Sequence, residues 1–95
     1  MEFTIKIDEK FFNELFNNPQ QHENPNVYLV PEIEAYIAGE DNDLQYVLFR
    51  ELGGIDFLDS NNQNINPADE NIDWDNMRDQ ATELFIEFYN SNIKK

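Results

Sequence analysis

Basic residues are nearly missing from the middle of this chain: across residues 11–93 only Arg50 and Arg78 stand against 17 acidic side chains. The remaining bases, Lys6, Lys10, Lys94 and Lys95, sit at the two ends. Nucleic-acid binding draws on Lys and Arg to release counterions from phosphates, so direct binding of DNA or RNA is not expected, and anionic membranes should repel the chain. Cysteine is absent, which removes disulfides and thiolate metal sites and gives no sign of an oxidising compartment. Long apolar runs are missing as well. The opening MEFTIKIDEK lacks the basic segment and apolar core of a secretory signal, and nothing approaches the ~20 apolar residues needed to span a bilayer. A soluble cytoplasmic protein is the expectation.

What is present is acid and aromatic together. Asp plus Glu number 20 against 6 Lys plus Arg, a formal charge of −14 on 95 residues. Disordered acidic tails are poor in aromatics and large aliphatics, whereas this chain is 14% aromatic and 40% apolar, enough to close the core of one modest domain spanning residues 1–95. Self-repulsion at such a charge opposes compaction, so salt should stabilise the fold.

Phe3, Ile5 and Ile7 alternate with Thr4 and Lys6, the period of a strand with one buried face. Asp8 offers a cap to a helix over residues 9–17, where Phe12, Leu15 and Phe16 share a side and Pro19 forbids continuation. Residues 18–26 read as a polar loop with two prolines, followed by a brief apolar run over 27–30. Pro31 suits the start of a helix with Ile33, Tyr36 and Ile37 on its buried side, stopped by Gly39. Asp43 is the next cap candidate, with Leu44, Val47, Leu48 and Leu52 at helical spacing up to Gly53-Gly54; a strand through LQYVLF competes, and helix is favoured because the apolar set extends to Leu52 with Arg50 and Glu51 interrupting any alternation. Ile55, Phe57 and Leu58 suggest a short strand that pairs with the first, then a turn-forming tract over 59–67. From about Asp73, residues Trp74, Met77, Ala81, Leu84, Phe85 and Phe88 define an amphipathic helix of about four turns. The expected architecture is a small, helix-rich α+β domain with a short N-terminal strand and a long C-terminal amphipathic helix.

Three acidic groupings are candidate partner-binding sites. Asp75, Asp79, Glu83 and Glu87 recur every four residues along the last helix, a ridge with about 6 Å of rise between neighbours. Like charges at that spacing destabilise a helix by roughly 0.2–0.5 kcal/mol per pair, so a Lys at 79 or 83 is expected to stabilise it. Two base-pair steps of DNA advance ~6.8 Å, which gives the ridge a phosphate-like spacing; the competing reading is a solvated helix face. Glu40, Asp41 and Asp43, with Glu32 and Glu34 nearby, form the second grouping, although loop acids often serve only as caps and turn formers. Asp69, Glu70, Asp73 and Asp75 surround Trp74 as the third. An aromatic rimmed by charge suits an interface, but a lone Trp opening an amphipathic helix is more often core.

Catalytic and metal motifs fail on mechanism. Asp59, Asn61, Gln63 and Glu70 occupy four ligand positions of a calcium loop, yet Asn64 stands where the sharp turn needs Gly and Asn66 where an apolar residue belongs. The single histidine, His22, lies in the polar loop with no nucleophile context. Gly53-Gly54 lacks the Lys and spacing of a phosphate loop. No enzyme activity, cofactor or metal is expected.

In charge and size the chain resembles the DNA-mimic proteins that phages and mobile elements use against restriction, CRISPR or repair enzymes. That resemblance covers overall charge and carries no residue over. It implies a non-enzymatic acidic inhibitor or decoy blocking a basic nucleic-acid-binding protein. The same composition fits an immunity protein or antitoxin that neutralises a basic nuclease toxin, and also an acidic structural or adaptor subunit.

Overall fold

Asp8 divides the first two elements. Strand β1 (Thr4–Ile7) ends there, and the Asp8 carboxylate accepts the Phe11 N–H at 3.0 Å to cap α1 (Glu9–Asn17). A computed structural model describes residues 2–18, 24–66 and 72–93. Strand β2 (Ile55–Leu58) pairs antiparallel with β1, Ile7 opposite Ile55 and Thr4 opposite Leu58, as the alternation predicted. The Asp8 N–H continues this ladder to the Gly54 carbonyl at 2.9 Å. On the open face Lys6 stands directly opposite Asp56, a cross-strand pairing of opposite charges.

The segment read as loop up to residue 26 is already helical at Pro25. Helix α2 (Pro25–Tyr28) has Pro at its start, and the Asn24 side chain accepts the Asn26 N–H at 3.0 Å; cap and proline together supply the nucleus that polar composition concealed. The adjoining α3 (Val30–Ile37) carries Pro31 in its first turn. It ends as predicted at Gly39, φ +74°, where Gly39 donates to the Tyr36 carbonyl and Glu40 to that of Ala35, the paired bonds of a Schellman cap. Ile33 is fully buried, but Ile37 is 48% exposed, so the buried stripe of α3 is narrower than its sequence suggested.

Helix α4 (Leu44–Tyr46) runs on through a π-helical stretch, Val47–Leu52, to Gly53 at φ +70°. Asp43 holds the capping position without using its side chain; Asn42 Oδ1 accepts the Leu44 N–H instead, at 3.2 Å. After β2, Asp59 closes a turn by accepting the Asn61 and Gln63 N–H groups at 2.8 and 3.0 Å, and the chain returns so that Ile65 donates to the Phe57 carbonyl. The first acid of the rejected calcium loop therefore serves the turn itself.

Helix α5 (Trp74–Phe88), capped by Asp73 and continued as a π-helical stretch Tyr89–Ile93, supplies the far wall of the core. Met77, Ala81, Phe85 and Phe88 are buried as predicted, but the face differs at its edge: Leu84 is 40% exposed, while Thr82 is fully buried, with its hydroxyl donating to the Arg78 carbonyl at 2.7 Å. That bond satisfies the buried Thr82 hydroxyl. The centre is aromatic: Phe12, inaccessible to solvent, lies 5.1 Å from the ring of Phe11 and 5.0 Å from that of Phe85.

Gly54 is fixed by this packing. A Cβ there would fall 2.7 Å from the rings of both Phe11 and Phe12. Overpacking a filled core costs about 1–3 kcal/mol, and a small domain loses roughly 4–8 °C of Tm per kcal/mol. Gly54→Ala is expected to show that loss by thermal melting, whereas Gly39→Ala meets no atom and suffers only its left-handed backbone strain.

Candidate functional site

Two of the predicted acidic groupings, distant in sequence, converge on one face. The link is a circuit of hydrogen bonds among α3, the start of α4 and α5. The backbone N–H of Asp43 donates to Glu32 Oε2 at 2.6 Å, the Gln45 amide donates to Asp79 Oδ1 at 2.7 Å, and the Tyr36 hydroxyl donates to Glu83 Oε1 at 2.8 Å. Glu32 and Tyr36 are one turn apart on α3, as Asp79 and Glu83 are on α5. Each of these three carboxylates therefore has one oxygen held by a neighbouring element. Glu40, Asp41 and Asp43 are exposed in the connection beside them, where the Asn42 amide donates to the Glu40 carbonyl at 2.9 Å.

The electrostatics of the face show in Tyr36. Burial first, then the Glu83 hydrogen bond and the negative charges of Glu83 and Asp79, push its phenol from the ordinary 10.0 up to about 12. The raised value belongs to the folded state, so this contribution to stability is complete below pH 10 and lost as pH rises through the folded value.

The four-acid ridge does not survive as a straight row. Four residues of α-helix turn through roughly 400°, so each step drifts about 40° and the three steps from Asp75 to Glu87 drift about 120°. The neighbours change accordingly. Asp75 is paired with Arg78 at 2.5 Å, Asp79 meets α4, Glu83 meets α3, and Glu87 borders a depression shared with Ile5, Ile7 and Glu9. Only Asp79 and Glu83 belong to the circuit. Glu34, two residues or about 200° of rotation from Glu32, leaves the other side of α3. Asp73 is occupied as the cap of α5, accepting the Asn76 N–H at 3.1 Å. Asp69 and Glu70 lie outside the described residues.

Trp74 is neither fully core nor free at the surface. Its ring meets Phe57 edge-on at 5.8 Å, and its indole N–H is buried with no acceptor among the described residues. An unsatisfied buried donor costs about 1–3 kcal/mol.

Sequence reasoning missed the donors of the circuit. Tyr36 reads as part of the buried side of its helix, and Gln45 sits inside an apolar run; the one available signal is the Glu32–Tyr36 spacing. Among the described residues no group of three His, Cys, Asp or Glu side chains is placed to hold a metal ion, and no helix is long and apolar enough to cross a membrane. No family model, curated protein or solved structure matches the chain.

Proposed function

We propose that the protein is a non-enzymatic acidic decoy that covers the basic nucleic-acid-binding surface of another protein, and that it works in the cytoplasm where such partners act. The observation carrying this reading is the tethered face: Glu32, Asp79 and Glu83, each with one oxygen anchored by Asp43, Gln45 or Tyr36, beside exposed Glu40, Asp41 and Asp43. Fixed anions lose less side-chain freedom on binding than unrestrained ones, which favours affinity at a defined place. The rise of about 6 Å between Asp79 and Glu83 resembles the ~6.8 Å advance of two base-pair steps, so this pair is the part of the original ridge that retains the phosphate-like role. The formal charge of −14 adds long-range attraction toward a basic cleft and a salt-sensitive association rate.

The test begins with capture of partners from the native host at low salt. The expected result is a basic nucleic-acid-binding protein whose binding to duplex or single-stranded probes is displaced by this protein in proportion to occupancy, steeply less so as salt rises. The protein alone is expected to shift neither probe at moderate salt. A specific gel shift without any partner, or a captured partner that holds DNA and this protein simultaneously, overturns the decoy reading.

A further inference from the structure

The two bases of the acidic stretch, Arg50 and Arg78, line the same groove, an opening of about 620 Å³ between α4, β2 and the start of α5. That volume lies within the ~300–1,000 Å³ of small-ligand sites. Tyr46, Phe49, Phe57 and Trp74 make its wall aromatic, with Phe57 lying 5.9 Å from Phe49 and 5.8 Å from Trp74. The π-helical stretch Val47–Leu52 carries both Phe49 and Arg50, and such wide turns are frequent at functional sites. Trp74, whose buried indole N–H has no acceptor among the described residues, is part of the same wall.

The charges in the groove are unequally committed. Arg78 is held by Asp75, whereas Arg50 is exposed and has no ion pair among the described residues. Asp56, the acid that lines the groove among the described residues, stands opposite Lys6 in the strand pair. More distant acids are screened beyond about 8 Å at physiological salt, while Asp56 in the lining and Asp75 and Asp79, bonded to the lining residues Arg78 and Gln45, oppose Arg50 in the field at a seated ligand.

We propose that this groove binds a planar aromatic acid, its ring against the aromatic wall and its carboxylate on the Arg50 guanidinium. A flat ring matches Tyr46, Phe49, Phe57 and Trp74 through offset or edge contacts. The carboxylate matches the planar fork of an arginine, which binds it through two parallel N–H bonds. The groove shares Gln45 with the acidic face, where it tethers Asp79, but the proposal does not rest on the decoy reading.

Trp74 is the chain's single tryptophan, so its indole N–H gives one resolved nitrogen–proton NMR signal. Titration with 1-naphthoate is expected to move that signal saturably in the millimolar range or tighter. The uncharged isostere 1-naphthamide should bind about tenfold more weakly, since it forfeits the charge-assisted bonds. Arg50→Gln, a change at an exposed position, should remove that difference by weakening the acid and leaving the amide unaltered. Three results overturn the proposal: a naphthoate titration that leaves the Trp74 signal in place, equal binding of acid and amide, or undiminished naphthoate binding by folded Arg50→Gln.

Discussion

Phe12→Ala is expected to bring the protein to the edge of unfolding at ambient temperature. Phe12 is fully inaccessible and lies within ring contact of Phe11, Phe85 and Phe88, the last at 6.3 Å, so its removal opens α1, α5 and the Gly54 corner together. Burying and then deleting such a ring costs about 3–5 kcal/mol. Single domains have only about 5–15 kcal/mol in total, and a charge of −14 presses this one toward the lower end through self-repulsion. Urea titration at two salt concentrations measures both effects: the variant's midpoint should fall steeply at low salt and recover in part at high salt. Phe12→Leu, which keeps most of the volume, should lose far less. A Phe12→Ala variant as stable as the parent would falsify the placement of the core.

The elements that sequence predicted well are those whose signals are local and redundant. Helix α1 has a capping acid, a periodic FF..LF set and a proline beyond it, all in agreement, and its bounds match the expectation of 9–17. The β1–β2 pair follows from two short alternating segments once the rival strand through LQYVLF is read as helix. Helix α5 is legible both as an element and in most of its buried face, Met77, Ala81, Phe85 and Phe88, but not at one edge: hydropathy favours Leu84, and only the Arg78 carbonyl, available one turn back, makes burial of Thr82 inexpensive. The π-helical turn over Val47–Leu52 has no local signature. It is stabilised at its end where Gly53, in left-handed conformation, donates to the Leu48 carbonyl at 3.0 Å. The acidic groupings were visible as composition, yet their convergence was not, since it rests on Tyr36 reaching Glu83 and Gln45 reaching Asp79 across 47 and 34 residues of sequence.

Those two bonds change what charge substitution on α5 should do. Sequence alone favours Asp79→Lys and Glu83→Lys for stability, because each converts i,i+4 repulsion of roughly 0.2–0.5 kcal/mol into attraction. The structure reverses the balance, since each substitution also removes an acceptor from Gln45 or Tyr36, and a hydrogen bond contributes about 0.5–1.5 kcal/mol. The lysine pair should therefore melt slightly below the parent. Asp79→Asn with Glu83→Gln separates charge from geometry: the amide oxygens still accept from Gln45 and Tyr36, the repulsion is gone, and Tm should be equal or slightly higher. Against a basic cleft the same double variant should lose about 2–5 kcal/mol, the range for removing one member of a desolvated charge pair, which is a weakening of at least roughly thirtyfold. Calorimetric titration against the captured partner at matched ionic strength reads this directly. If the amide pair binds as tightly as the parent, Asp79 and Glu83 are a solvated edge of α5, the tethers serve only helix packing, and electrostatic complementarity at this face is not what holds the partner.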